Sequence, residues 1–140
     1  MPAQNEKAEM ADASDVDGTT ITFWHSMGGV NGEAIDTLVK KFNDENEYGI
    51  TVDAQYQGEY DDSLNKLKSA QIGNMGADLV QVYEIGSRFM IDSGWIVPMQ
   101  QMVDADSYDV SEIEPNLAAY YTIDNELYSM PFNSSTPIMY

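Results

Sequence analysis

Apolar residues recur along this chain with two alternating periods. Thr19–His25 (TTITFWH) is short, β-branched and aromatic, a composition that suits a half-buried pleated surface and predicts a strand. A turn follows through Ser26-Met27-Gly28-Gly29-Val30-Asn31, with Asn31 the expected helix N-cap. Between Gly32 and Asn46, Ile35, Leu38, Val39 and Phe42 fall at i, i+3, i+4 and i+7, which is one helix face, and Asp36 and Lys40 form an i, i+4 pair beside it. Gly49 stops that pattern, and Ile50–Tyr56 alternates apolar and polar as a second strand. Gly58-Glu59-Tyr60 turns the chain into a second helix over Asp61–Ile72, where Asp61 and Asp62 suit the positive helix end and Leu64, Leu67 and Gln71 share a side. Gly73-Asn74-Met75-Gly76 ends it, and Ala77–Tyr83 (ADLVQVY) predicts a third strand, followed by Glu84, Ile85 and Gly86.

Strand and helix alternating with short connections predict a mainly parallel sheet flanked by crossover helices. Beyond it, the pattern predicts a short helix near Ser87–Asp92 and a loop or short strand at Trp95-Ile96-Val97-Pro98. The S-x-x-E spacing of Ser111 and Glu114 is a capping-box pattern opening a helix with Ile113, Leu117, Tyr120 and Tyr121 on one face. Thr122–Tyr128 reads as two short strands around an Asp124-Asn125 turn. The last apolar residues, up to Tyr140, look like a strand beginning, so the fold is expected to continue past them. Residues 1–18 lack both a charged n-region and an apolar h-region and read as a disordered polar tail, leaving 19–140 as one incomplete α/β lobe.

Charge narrows the function classes. The chain has 24 acids against 6 Lys and Arg, a formal net charge of −18. Nucleic acid is held by neutralising its phosphates with basic side chains, so no nucleic-acid partner is expected, and anionic lipid is disfavoured for the same reason. With no cysteine, disulfides, thiolate chemistry and Cys-containing zinc sites are excluded. His25 is the only histidine, so no multi-histidine metal site can form. No G-x-S-x-G elbow, P-loop, G-x-G-x-x-G or EF-hand loop occurs, and neither a cofactor nor a metal is expected. Paired carboxylates for hydrolysis are uninformative among so many acids.

In an open parallel sheet, ligands bind beyond the carboxyl ends of the strands. That rule singles out Trp24-His25-Ser26, Gln57-Gly58-Glu59-Tyr60 and Glu84-Ile85-Gly86-Ser87, each equally readable as an ordinary turn. Core packing competes with ligand contact at Trp24, and hydrogen bonding or packing with function at His25.

At these same turns, the segments TITFWHSM (20–27), FNDEN (42–46), Gly58-Glu59-Tyr60, LVQVYE (79–84) and PFNSSTPIMY (131–140) carry a resemblance. Together they are similar to the extracellular solute-binding proteins of bacterial ABC importers, and closely resemble members that take glycerol 3-phosphate. The resemblance runs from about Thr19 to Tyr140 and implies a periplasmic-binding-protein-like fold of two hinged α/β lobes, truncated here before the second lobe. It implies an extracytoplasmic protein, in the periplasm or lipid-anchored, that captures a small polar solute and hands it to a membrane permease, and is not an enzyme. Glycerol 3-phosphate or a glycerophosphodiester leads, with a neutral sugar or oligosaccharide as the alternative. A self-associating truncated lobe with unpaired sheet edges and a glycerophosphodiester-acting enzyme are the remaining readings. Carried over by motif, the ligand contacts are Tyr60, Glu84 and Ser135, joined by Ser134 and, at the first turn, by Trp24, His25 and Ser26. Glu84 is expected at the glycerol or sugar end, because beside a phosphate it would repel. The phosphate is expected to meet the hydroxyls of Tyr60 and Ser135, the N–H groups of Ser134 and Ser135, and His25, with the full cation supplied by the other lobe. The sequence departs from the family at Met27-Gly28-Gly29-Val30-Asn31, where an acid often follows Met.

Overall fold

A computed structural model of the chain describes residues 12–73, 75–135, 138 and 139. Residues 1–11 of the expected tail lie outside that range. Asp12–Gly18, expected to be part of it, carries a one-turn helix α1 (Ala13–Val16) whose N-cap Asp12 accepts the Ser14 N–H. The described residues fall into two compact units, one up to Phe89 and one from Met90 onward.

The first unit is built on strand β1 (Thr20–His25), helix α2 (Gly29–Glu45), strand β2 (Thr51–Tyr56), helix α3 (Tyr60–Ile72), strand β3 (Leu79–Val80) and the start of helix α4 (Glu84–Ser93). Both pairings are parallel, in the order β2-β1-β3, so the expected parallel sheet flanked by helices is present. Alternation along β1 sends Phe23 and His25 to one face, where Phe23 joins Met27 and Ile35 in the core with Val39, Val52, Ala54 and Tyr60 against it. Two asparagines bind α2 to β2. Asn43 accepts from the Val52 N–H and donates to its carbonyl, and Asn46 makes the same pair of bonds with Ile50.

Several expectations shift by a turn. Helix α2 starts at Gly29 with Gly28 as N-cap, not at Asn31; Gly28 holds an extended backbone and offers no side-chain cap. Of its expected apolar face only Ile35 is buried, while Leu38 is 62% exposed and Phe42 lies partly open, because the sheet it packs on is three strands wide and short. Strand β3 contracts from seven expected residues to Leu79–Val80, with side chains finishing its seam. Just before it, Asp78 accepts both the N–H and the hydroxyl of Thr22, and these bonds hold its carboxyl below the ordinary aspartate range.

The second unit holds α5 (Met99–Asp106), α6 (Pro115–Tyr120), and the strands β4 (Thr122–Ile123) and β5 (Glu126–Leu127). Helix α5 was not expected; it opens after Pro98, buries Val103 and closes on Ser107 in the left-handed region. Helix α6 starts four residues beyond the Ser111 expected to cap it. Pro115 occupies its first position, where a missing N–H costs nothing, and the Glu114 carboxylate accepts from Asn116 and Leu117. Strands β4 and β5 pair antiparallel as expected, with Asp124 and Asn125 at φ 53° and 66°, the two left-handed residues of a type I′ turn. The strand expected toward Tyr140 falls partly on Thr136, Pro137 and Tyr140, outside the described residues, and 131–135 form no regular element.

Leu67, on α3, is 1% exposed and is the largest fully buried side chain among the described residues. Leu67→Ala should cost about 2–5 kcal/mol, read as a fall in the urea midpoint with unchanged slope.

Candidate functional site

Chain progress reverses at β1. Helix α2 carries the chain to β2 on one edge of β1, and α3 carries it back to β3 on the other. Such a reversal opens a crevice between the carboxyl ends of the two diverging strands, here β1 and β3, and ligands of open α/β sheets bind there. Residues following these strand ends are therefore the candidates.

The β1–β3 seam closes through a residue that sequence reasoning did not single out. Gln81, 9% exposed, donates its N–H to the Trp24 carbonyl at 2.9 Å, and its Oε1 accepts the Ser26 N–H at 2.9 Å. The β1–β2 seam closes through the Gln57 N–H on the His25 carbonyl. Ser26 is 7% exposed and its Oγ is buried without a hydrogen-bond partner among the described residues. The one legible signal for Gln81 was a polar residue directly after an apolar pair at a strand end.

The first-turn candidates are thus committed internally. His25 is 3% exposed, lies 5.6 Å from the Phe23 ring and 6.0 Å from that of Tyr56, and accepts the Met27 N–H on Nδ1. That bond leaves the proton of the neutral ring on Nε2. Burial lowers its pKa, opposed by the Asp36 charge and the Met27 hydrogen bond. His25 also borders an open depression of about 480 Å³ reaching Glu33, Asp36 and Tyr56. Trp24 lies on the opposite face of β1 and donates its indole N–H to Gln55.

Tyr60 and Glu84 occupy helix starts rather than strand ends. Gly58 has φ 95°, a backbone that a side chain would strain, and it delivers Tyr60 as the first residue of α3. Glu84, expected at a strand end, is the exposed first residue of α4, because β3 stops at Val80. There the helix dipole favours its negative charge. A Cβ on Gly86 would lie 2.7 Å from Val82 Cγ1 and 3.4 Å from Leu64 Cδ2, so a glycine lets the first turn of α4 sit close to α3. The Lys68 ammonium over the Phe89 ring, 4.5 Å from its centroid, adds a second tie between these helices.

The two helix starts meet through Tyr83. Its ring stacks on that of Tyr60 with centroids 5.3 Å apart and planes 11° from parallel. Its hydroxyl donates to Asp61 Oδ1 at 2.5 Å, and that bond raises its pKa. The structure thereby brings Tyr60 and Glu84 to one corner. That corner also carries Glu59, Asp61 and Asp62, while Lys66 points its ammonium at the Gln57 carbonyl at 2.8 Å. Its chemistry accepts hydroxyl groups better than it neutralises an anion. Ser134 and Ser135 are exposed and belong to the second unit.

Residues 37–140 match the family model of bacterial extracellular solute-binding proteins. The sn-glycerol-3-phosphate-binding periplasmic protein of Salmonella typhimurium is 41% identical over 128 residues, covering 87% of this chain and 28% of that protein. Its counterpart of the same name in Escherichia coli K12 is 38% identical over 128 residues, with the same coverage of 87% and 28%. Among solved structures, the sugar-binding protein of Xanthomonas citri superposes with a TM-score of 0.69 at 25% identity, over 81% of this chain and 28% of that one. The chain therefore spans 28% of the length of these relatives.

Burial of His25 sets a pH dependence. The folded state holds the proton less tightly than the unfolded chain, whose histidine titrates near 6.5. Its contribution to stability is full above that value and is lost as pH falls below it. Because the chain has a single histidine, its NMR titration is unambiguous, and the midpoint should lie below that of the urea-unfolded chain. A midpoint at or above the unfolded one would contradict the burial.

Proposed function

This chain belongs to the bacterial extracellular solute-binding protein family, and from that premise we propose that the whole protein is the extracytoplasmic solute-capturing component of an ABC importer for glycerol 3-phosphate or a related glycerophosphodiester. The observation that carries the choice of solute is the 41% identity, over 87% of this chain, to a protein named for binding glycerol 3-phosphate. The partner that receives the solute is a membrane permease, and the chemistry is capture and release rather than bond cleavage.

Within that role, Tyr60 and Glu84 read the hydroxyl end of the solute; Tyr60, expected at the phosphate from sequence, is reassigned because it stacks on Tyr83, the chain neighbour of Glu84. An ionised carboxylate at an exposed helix start accepts two hydrogen bonds from vicinal hydroxyls, and charge-assisted bonds of this kind contribute about 1.5–3 kcal/mol each. Phosphate does not belong beside it. At 4 Å, two like charges repel by about 1 kcal/mol even in bulk water and by about 4 kcal/mol near a protein surface. The phosphate end is accordingly assigned to donors away from this corner that carry no negative charge. His25 and Ser26 act indirectly, by closing the sheet beneath the crevice. Trp24, its indole N–H held by Gln55, serves as an apolar wall.

A neutral sugar is the second reading. It is favoured by the 25% identity to the sugar-binding protein of Xanthomonas citri, and a carboxylate with a tyrosine hydroxyl suits sugar hydroxyls as well as those of glycerol.

Titration calorimetry of the chain with glycerol 3-phosphate, glycerophosphocholine and maltose separates the two. Binding of the phosphates with no heat from maltose is expected, and Glu84→Gln should weaken phosphate-ester binding roughly ten- to a hundredfold. Binding of maltose alone would transfer the assignment to sugars, and an unchanged affinity in Glu84→Gln would remove Glu84 from the site.

A further inference from the structure

We propose that Tyr83 and Asp61 form a positioning pair that sets the distance and angle between Tyr60 and Glu84 before solute arrives. This rests on the reading of Tyr60 and Glu84 as solute contacts. Each member of the pair is the chain neighbour of one contact: Asp61 follows Tyr60, and Tyr83 precedes Glu84. Twenty-two positions separate Asp61 from Tyr83 along the chain, yet the Tyr83 hydroxyl donates to the Asp61 carboxylate at 2.5 Å. The near-parallel Tyr60–Tyr83 stack adds a second tie at the ring faces. The Tyr83 ring is thus held at its face and at its tip.

The geometry serves binding in two ways. A tyrosine at the first position of a helix has rotamer freedom that solute would have to quench, and a ring already stacked loses less on binding. The core fixes the other contact of the Tyr60 ring, through the cluster of Phe23, Met27 and Ile35. The phenol also occupies the Asp61 carboxylate. Without it, an exposed carboxylate acceptor beside the site would compete with Glu84 for the solute's hydroxyls. The raised pKa of Tyr83 agrees with this arrangement, since the Asp61 charge and its hydrogen bond both oppose ionisation of the phenol. The close seat of Gly86 on Val82 and Leu64 keeps the first turn of α4 from drifting out of reach.

The test is a double-mutant cycle in this chain, with glycerol 3-phosphate as the probe. Tyr83→Phe keeps the stacked ring and deletes the hydroxyl; Asp61→Ala deletes the acceptor; Asp61→Asn keeps an acceptor without the charge. Tyr83→Phe and Asp61→Ala should each weaken binding by roughly 3- to 10-fold, and the double variant should be no weaker than either, because both remove one bond. Asp61→Asn should restore most of the affinity, which a loss of general stability would not do. Tyrosinate absorbance at high pH gives an independent readout: one tyrosine should titrate at lower pH in Asp61→Ala than in the parent chain. Thermal melts of each variant identify any that lose folding, and for those the absorbance titration of Asp61→Asn stands in. Additive losses in the cycle, or full affinity in Tyr83→Phe, would overturn the pair. If Tyr60→Ala leaves glycerol 3-phosphate binding intact, the premise fails along with the proposal. If Tyr60→Ala abolishes binding while Tyr83→Phe does not change it, the pair alone fails.

Discussion

Strand β1 has hydrogen-bonded parallel neighbours on both edges, and the site follows from how those two seams end. A central strand buried on both edges must have every N–H and carbonyl paired, because an orphaned group there costs as much as a lost hydrogen bond. Past Val80 the Gln81 N–H bonds to the Trp24 carbonyl, and the Gln81 side chain then takes the Ser26 N–H. That substitution of side chain for backbone ends β3 early. It frees 82–84 to leave the sheet, so that Tyr83 turns back against α3 and Glu84 opens α4. The corner formed by Tyr60, Tyr83 and Glu84 exists because the strand stops where it does.

The consequence for ligand chemistry is electrostatic. Two helix starts converge on that corner, and their N-terminal dipoles would by themselves favour an anion. The sequence places Glu59, Asp61, Asp62 and Glu84 on those same starts, which satisfies the dipoles from within the protein. The corner is left able to accept hydrogen bonds rather than to hold a phosphate. In the proposed role, a solute with a polyol end and an anionic end would lie with its hydroxyls toward Glu84.

Much of this was legible from residue pattern. Strands β1 and β2 and helix α3 follow their predicted spans within a residue, since β-branched alternation and an acidic first turn ahead of apolar residues on one side are strong local signals. The Asp124-Asn125 turn was equally plain, because two consecutive residues at positive φ select that dipeptide. What escaped was set by tertiary contacts. Asn31 has the better capping side chain, yet α2 starts at Gly29 with Gly28 as its N-cap. The length of β3 depends on Asp78 and Gln81 bonding across to β1, which no local window records. Helix α5 presents one buried residue, Val103, and so lacks a stripe; the signal available was Pro98 before it. At α6 the proline at the first helical position outweighed the capping-box spacing, and Glu114 is the residue that caps. Of the candidate site, the motif residues Tyr60 and Glu84 were visible by resemblance, whereas Tyr83, Asp61 and Gln81 emerged only from their contacts.

The central claim is that the corner of Tyr60, Tyr83 and Glu84 receives the hydroxyl end of a glycerol phosphate. Amide chemical-shift mapping of the isotope-labelled chain during titration with glycerol 3-phosphate, with inorganic phosphate as a parallel titration, tests it most directly. Saturable shifts at residues 58–61 and 82–86 with glycerol 3-phosphate, and none there with inorganic phosphate, are the predicted result. Shifts at those residues with inorganic phosphate, or an unmoved corner when glycerol 3-phosphate binds elsewhere on the chain, would contradict it.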